Sequence, residues 1–139
     1  LGAAVLGLEH AGSTSVPGLA AKPIIDIVLA VADSGAEPDY APALEAAGYV
    51  LRIREPDWFE HRVFKGADPA VNLHVFSSGC PEIDRMLAFR DRLRRDPGDR
   101  ALYQATKLRL AANAWATVQD YADAKGPVVA EILQRAMAP

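Results

Sequence analysis

An α/β chain of the α+β kind, a small mixed sheet with its helices gathered toward the C-terminus, is the fold class the sequence predicts. Three observations carry it. Short runs rich in Val, Ile, Leu and Phe, punctuated by glycine and proline turns, occupy the chain as far as Phe76. After Pro81 the strand pattern stops and apolar residues recur at helical spacing. The 139 residues, half of them apolar, suffice for one domain, 1–139, with one core.

The elements follow in order. Val5 to His10 reads as a short strand that enters the loop Gly12-Ser13-Thr14-Ser15. A Val16-Pro17-Gly18 turn and a short helical connection lead to Ile24–Val31, a strand apolar on both faces and therefore central and covered by helices. Asp33-Ser34 offers a helix cap, and Tyr40, Leu44 and Ala47 give a short helix ended by Gly48. Tyr49–Ile53 reads as a strand. Trp58–Lys65 and Ala70–Phe76 read as an antiparallel hairpin joined by the Gly66-Ala67-Asp68-Pro69 turn. Pro81 suits the first position of a helix whose apolar face is Ile83, Met86, Leu87, Phe89 and Leu93. Asp96-Pro97-Gly98-Asp99 breaks the chain before a second helix with Leu102, Ala105, Leu108 and Ala112. A third runs from Trp115 to Met137, with Gly126-Pro127 kinking or dividing it.

Composition narrows the function. A net charge of −3 argues against broad binding of nucleic acid. Cys80 is the single cysteine, so there is neither a disulfide framework nor a cysteine zinc site. The longest apolar run is too short to span a membrane. A cytoplasmic protein without membrane or nucleic-acid partners is the expectation. The chain begins at Leu1 without a methionine, which suggests a trimmed chain or one cut from a longer polypeptide.

The stretch from Leu8 to Val28 carries the chemistry. Its loop offers backbone N–H groups and the hydroxyls of Ser13, Thr14 and Ser15, an anion seat if a helix begins there and a plain capped turn if it serves only the fold. Asp26 lies inside an apolar strand, where a carboxylate is costly unless paired, metal-bound or facing a cleft. Two histidines and this aspartate, His10, His74 and Asp26, are a donor set for zinc, manganese or iron if the strands converge; otherwise each histidine is a neutral sheet residue, as His61 is read to be. Arg90 and Arg94 share a helix face, and Tyr103 with Lys107 repeats that spacing on the next helix. They form either a solvated charged face or a basic wall that grips phosphate or carboxylate, joined by Arg62 from the hairpin. Arg92, Arg95 and Arg100 read as surface. Ser13 or Ser15 with His10 and Asp26 supplies the residue types of a nucleophilic hydrolase without evidence of its geometry.

Residues 9–26 match throughout the pattern Glu-His-x-Gly-Ser-Thr-Ser-Val-Pro-Gly-Leu-x-x-Lys-Pro-x-x-Asp, and later matches follow in order: Arg62-Val63-Phe64, Leu73-His74-Val75, Phe89-Arg90-Asp91-x-Leu93-Arg94, then Tyr103 with Lys107. In these the chain resembles the GrpB-like family of predicted nucleotidyltransferases, from Leu8 to about Lys107, without that family's usual N-terminal segment. The resemblance implies a polymerase-beta-like nucleotidyltransferase fold. It also implies a Gly12-Ser13 loop that holds phosphates of a nucleotide or other phosphorylated small molecule, and Asp26 as a holder of a divalent cation (Mg, Mn or Zn). His74 would act as base or second ligand, and Lys22, Arg90, Arg94 and Lys107 would neutralise phosphate charge. One departure stands out: Val28 occupies the place of the second metal-binding acid, which weakens the case for phosphoryl transfer. Domains of this family also occur joined to dephospho-CoA kinase, which makes a non-catalytic folding or accessory role the alternative. No Gly-x-x-x-x-Gly-Lys-Ser/Thr loop is present, so the chain is not itself that kinase.

Overall fold

A computed structural model describes residues 5–12, 15–17, 24–67, 70–111 and 118–137. Five strands form one sheet: β1 (Gly7–Ala11), β2 (Ile25–Val31), β3 (Val50–Glu55), β4 (His61–Gly66) and β5 (Val71–Ser77), in the order β1-β2-β5-β4-β3. Strands β2 and β5 are parallel and every other pair is antiparallel, so the sheet is mixed. Helix α1 (Ala41–Ala46) lies between β2 and β3, while α2 (Pro81–Arg95), α3 (Pro97–Ala111) and α4 (Val118–Ala136) follow the last strand. The β4–β5 hairpin, the central position of β2 and the C-terminal helices all match the sequence expectation. No helix among the described residues is long and apolar enough to cross a membrane.

Alternation along the strands sorts side chains onto two faces. Ile25, Ile27, Leu29 and Val31 of β2 join Leu73 and Val75 of β5 and Phe64 of β4 under Tyr40, Ala41 and Leu44 of the α1 side. Val28 and Phe76 face the other way, against Ala11, Cys80 and the α2 residues Ile83 and Met86. A third cluster holds the helices together: Leu93, Tyr103 and Ile132 with Phe89, Leu102, Val128 and Val129. Burying each large apolar side chain in such a cluster contributes about 1.5–3 kcal/mol. Val16, from the loop after β1, is inserted into this helical cluster.

Several local expectations need correction. Trp58 is not in a strand: β4 begins at His61, because Phe59 (φ 57°) and Glu60 (φ 52°) adopt the left-handed region, which interrupts extended backbone. Asp33-Ser34 does not cap α1, whose first turn follows Tyr40. Instead Asp33 accepts the Gly35 N–H, the Ser34 N–H donates to Ser77 Oγ, and the Ser34 hydroxyl donates to the Glu60 carbonyl. Gly126-Pro127 does not divide the last helix. Helix α4 runs through it, with Val128, Val129 and Ile132 packed on α2 and α3 to offset the backbone bond that proline cannot make. Arg92 is not a free surface residue but pairs with Asp96 and the buried Asp99.

Candidate functional site

The site begins where β1 ends. Ala11 lies opposite Asp26 in the β1–β2 ladder, so both face the α2 side. Gly12 follows with φ +69°, and a Cβ placed there would lie 2.5 Å from Asp26 Oδ2; only glycine lets the backbone lie against that carboxylate. The turn then closes on itself. The Ser15 N–H and hydroxyl both donate to the Gly12 carbonyl, at 3.2 and 2.6 Å. Ser13, Thr14 and Lys22 lie outside the described residues.

Helix α2 clamps this loop through its arginines. Arg94 Nε donates to the Ser15 carbonyl at 2.8 Å, and Arg90 Nη1 donates to the His10 carbonyl at 3.1 Å and to Glu9 Oε2 at 3.0 Å. Arg90 Nε also donates to Asp91. The two arginines therefore position the loop backbone, and Arg90 meets two carboxylates as it does so. Tyr103 is buried beside Phe89, its ring edge-on at 5.1 Å, in the cluster that receives Val16. The ammonium groups of Lys107 and Lys125 lie 5.4 and 5.9 Å from its ring centroid, which brings two cations from α3 and α4 to one aromatic ring beside the loop.

Asp26 is the first of four groups linked across four adjacent strands. Asp26 Oδ1 on β2 lies 3.2 Å from His74 Nε2 on β5, His74 Nδ1 lies 3.1 Å from His61 Nε2 on β4, and His61 Nδ1 lies 2.7 Å from Glu55 Oε1 on β3. The imidazole planes are within 10° of parallel, with centroids 5.3 Å apart. That separation is close to the N···N distance plus a ring radius at each end, so the rings meet edge to edge, as an in-plane hydrogen bond requires. Phe76 lies against His61 at 4.7 Å and Trp58 stands edge-on to it at 5.0 Å. Burial in this apolar setting pushes the His61 imidazole below its usual pKa, with the Glu55 hydrogen bond opposing.

Two sequence expectations are corrected by the register. His10 lies opposite Ile27, not Asp26, and so belongs to the α1 side of the sheet, away from Asp26 and His74. Arg62 likewise belongs to the α1 side. Its Nε donates to Glu37 Oε2 at 2.7 Å, its Nη2 to Glu60 at 3.3 Å, and it does not join α2's arginines. Of the expected donors, only Asp26 and His74 come together among the described residues at the cation site that the resemblance implies. Val28, in the place of the second acid, is buried against Phe76 and Ala11, and no group of three or more His, Cys, Asp or Glu among the described residues is placed to hold a metal ion. Neither Asp26 nor His74 is assigned as a metal ligand. The residues that sequence reasoning missed are His61, read as a plain strand residue, Glu55 and Lys125. A signal for His61 did exist: the β4–β5 turn sets a register that brings His61 diagonally next to His74.

Comparison with known proteins places this geometry. The family model described as "GrpB protein" matches residues 1–135. A UPF0157 protein of Halalkalibacterium halodurans is 62% identical over 138 residues, 99% of this chain and 71% of that protein.

The chain belongs to the GrpB family.

A UPF0157 protein of Streptomyces coelicolor is 51% identical over 129 residues, 93% of this chain and 68% of that one. A crystal structure of the conserved protein GrpB from Enterococcus faecalis superposes with a TM-score of 0.82 at 32% identity, over 98% of this chain and 82% of that one. The GrpB fold, a five-stranded mixed sheet with C-terminal helices, is nucleotidyltransferase-like. A more distant similarity, 31% over 157 residues, joins 94% of this chain to 39% of a protein named dephospho-CoA kinase from Mycolicibacterium paratuberculosis.

Proposed function

We propose that this GrpB-family protein binds an anionic small molecule of the nucleotide or phosphorylated-metabolite class on the α2 side of its sheet, at Asp26 and His74. Any chemistry at that partly exposed pair is proton transfer rather than two-metal phosphoryl transfer. The observation that carries the reading is the close approach of the Gly12 backbone to the Asp26 carboxylate, which His74 in turn contacts. It sets a polar, partly open acid–base pair beside a glycine turn. Arg94, Lys107 and Lys125 around the loop supply the charge an anion needs. The buried Val28 argues against a second cation, so Asp26 is left as a base or a hydrogen-bond acceptor.

The test is a thermal-unfolding screen of nucleoside triphosphates, inorganic triphosphate and phosphate, with and without magnesium. A ligand that binds only the folded chain and is present at 100 times its Kd adds about 2.7 kcal/mol. The expected result is a raised midpoint that does not need the metal, with affinity reduced about tenfold or more by Lys107→Ala and His74→Ala. If no anion raises the midpoint, or if binding survives both substitutions, the proposal is wrong.

A second reading is favoured by the similarity to part of a dephospho-CoA kinase. In it the domain assists the folding of a partner enzyme and binds no metabolite. Refolding yield of such a kinase with and without this chain decides it, and an unchanged yield rejects it.

A further inference from the structure

The Asp26–His74–His61–Glu55 chain contains three hydrogen bonds, and each needs one proton. Two ionised carboxylates and two neutral imidazoles supply only two. If both outer bonds are made by ring N–H groups, His61 Nε2 and His74 Nδ1 are left as two bare lone pairs 3.1 Å apart, an arrangement without attraction. One additional proton satisfies every bond at once, wherever along the chain it resides.

We propose that Glu55, His61, His74 and Asp26 form a single acid–base unit that holds one proton more than two neutral imidazoles and moves it between Asp26, at the ligand, and Glu55, at solvent. The proposal deepens the reading of that pair given above by naming the group that takes or gives the proton there. In the two-proton form Asp26 and the bare His74 Nε2 face each other and accept a proton from a ligand. His74 Nδ1–H then passes its proton to His61 Nε2, and His61 Nδ1–H passes its own to Glu55, which releases it to water. Each transfer breaks one N–H or O–H bond and forms the next, so the chain carries a proton with no other reactant. Glu55 and His61 are positioning residues: they act on the ligand only through His74.

Exposure supports this division of labour. The His61 side chain is 7% exposed, Glu55 46%, Asp26 30% and His74 21%, so the ends of the chain are wet and its middle is dry. Burial holds His61 toward the neutral form, with the Glu55 hydrogen bond opposing. The charged neighbours are mostly already matched. Glu9 of β1 pairs with Arg90 of α2, Glu82 lies 3.9 Å from Arg85 at the head of α2, and Arg62, paired with Glu37 and Glu60, donates to the His61 carbonyl while its charge disfavours a proton on the ring. Lys65 of β4 is exposed beyond the hairpin's dry part.

The experiment is a nitrogen-15 NMR titration of the histidine rings in the ligand-free full chain, from pH 9 to 5. Three histidines make the assignment tractable, and His10 reports from the opposite face. The expected result is a common midpoint for His61 and His74 with one proton gained between them. In Glu55→Gln the amide oxygen can still accept from His61 Nδ1, yet the lost charge lowers the proton affinity read at His74 by about threefold. In a His61→Gln background, which breaks the chain of bonds but leaves the distance between the charges, the same Glu55→Gln change moves His74 by a smaller factor, and an equal shift in both backgrounds overturns the proposal. Separate midpoints with a full proton on each ring overturn the proposal, as does a His74 titration indifferent to Glu55 in the parent chain. One metal ion per chain that a chelator removes also overturns it, because the metal then takes the proton's place. The titration needs no ligand, so its failure and a failure of ligand binding are separate results.

Discussion

Replacing Glu37 with glutamine tests the placement of Arg62 directly. Glu37 Oε2 accepts from Arg62 Nε at 2.7 Å and from Arg54 Nε at 2.8 Å, and its other oxygen accepts from Arg54 at 2.9 Å. Arg54 is mostly exposed, so its share is small. The Arg62 side chain is only 7% exposed, and removing the partner of a buried charge costs about 3–5 kcal/mol. Glu60 remains within 3.3 Å of Arg62 and the glutamine oxygen can still accept one bond, which brings the expectation to about 2–3 kcal/mol. The lowered carboxyl of Glu37 agrees in sign, although its largest cause is the exposed Arg54, whose contribution solvent screens. Its hydrogen bond from Arg54, with that from Arg62, lowers the carboxyl from 4.5 to about 2 against the opposing effect of burial. A carboxylate depressed in the folded state stabilises it above the unfolded value and ceases to do so as pH falls from 4.5 through about 2. Urea unfolding followed by far-ultraviolet circular dichroism at pH 7, 5 and 3 therefore has a definite pattern. Glu37→Gln should be about 2–3 kcal/mol less stable at pH 7 and 5, and less than half of that gap should remain at pH 3. A gap below about 0.5 kcal/mol at pH 7, or one unchanged at pH 3, would refute the account of Arg62 as a buried cation held by Glu37.

Two further substitutions probe other parts of the structure. Gly12→Ala and Gly48→Ala both place a side chain at positive φ, a cost of about 1–2 kcal/mol each, but only at Gly12 does the new Cβ strike Asp26. Gly12→Ala should thus be the more destabilising in chemical denaturation and should also disturb the His74 NMR signal; equal losses with an unmoved signal would contradict the contact. Asp99→Asn weakens the junction of α2, α3 and α4, where Arg92 Nε at 2.7 Å and Arg135 meet one buried carboxylate. A loss of about 1–3 kcal/mol is expected. Faster amide exchange in α4 should accompany it, and unchanged exchange there would show that the helices do not depend on this pairing.

The elements that read most clearly from the sequence are those whose pattern is local. The run Ile24–Val31, apolar except for Asp26, signals a covered central strand, and β2 does lie between β1 and β5. The face Ile83, Met86, Phe89 and Leu93 signals α2. Trp58 misleads for an equally local reason: it is a good strand residue by type, but Phe59 and Glu60 after it take a left-handed turn that composition does not announce. Arginines mislead in another way. A basic side chain at helical spacing reads the same whether it grips a ligand, a neighbouring carboxylate or a loop carbonyl. Arg90 and Arg94 reach the carbonyls of His10 and Ser15, and Arg92 reaches Asp99.

By itself the sequence determined the family, the strand–loop–strand stretch around Asp26, the hairpin and the helical second half, because each depends on residue order and short-range periodicity. Only the tertiary structure decided which titratable groups meet. Strand pairing puts His10 and Arg62 on the α1 side and brings Glu55, His61, His74 and Asp26 onto the other face of four neighbouring strands. The physical reason is the two-residue period of a strand. One step of register moves a side chain from one face to the other, and register is set by partners far away in the chain.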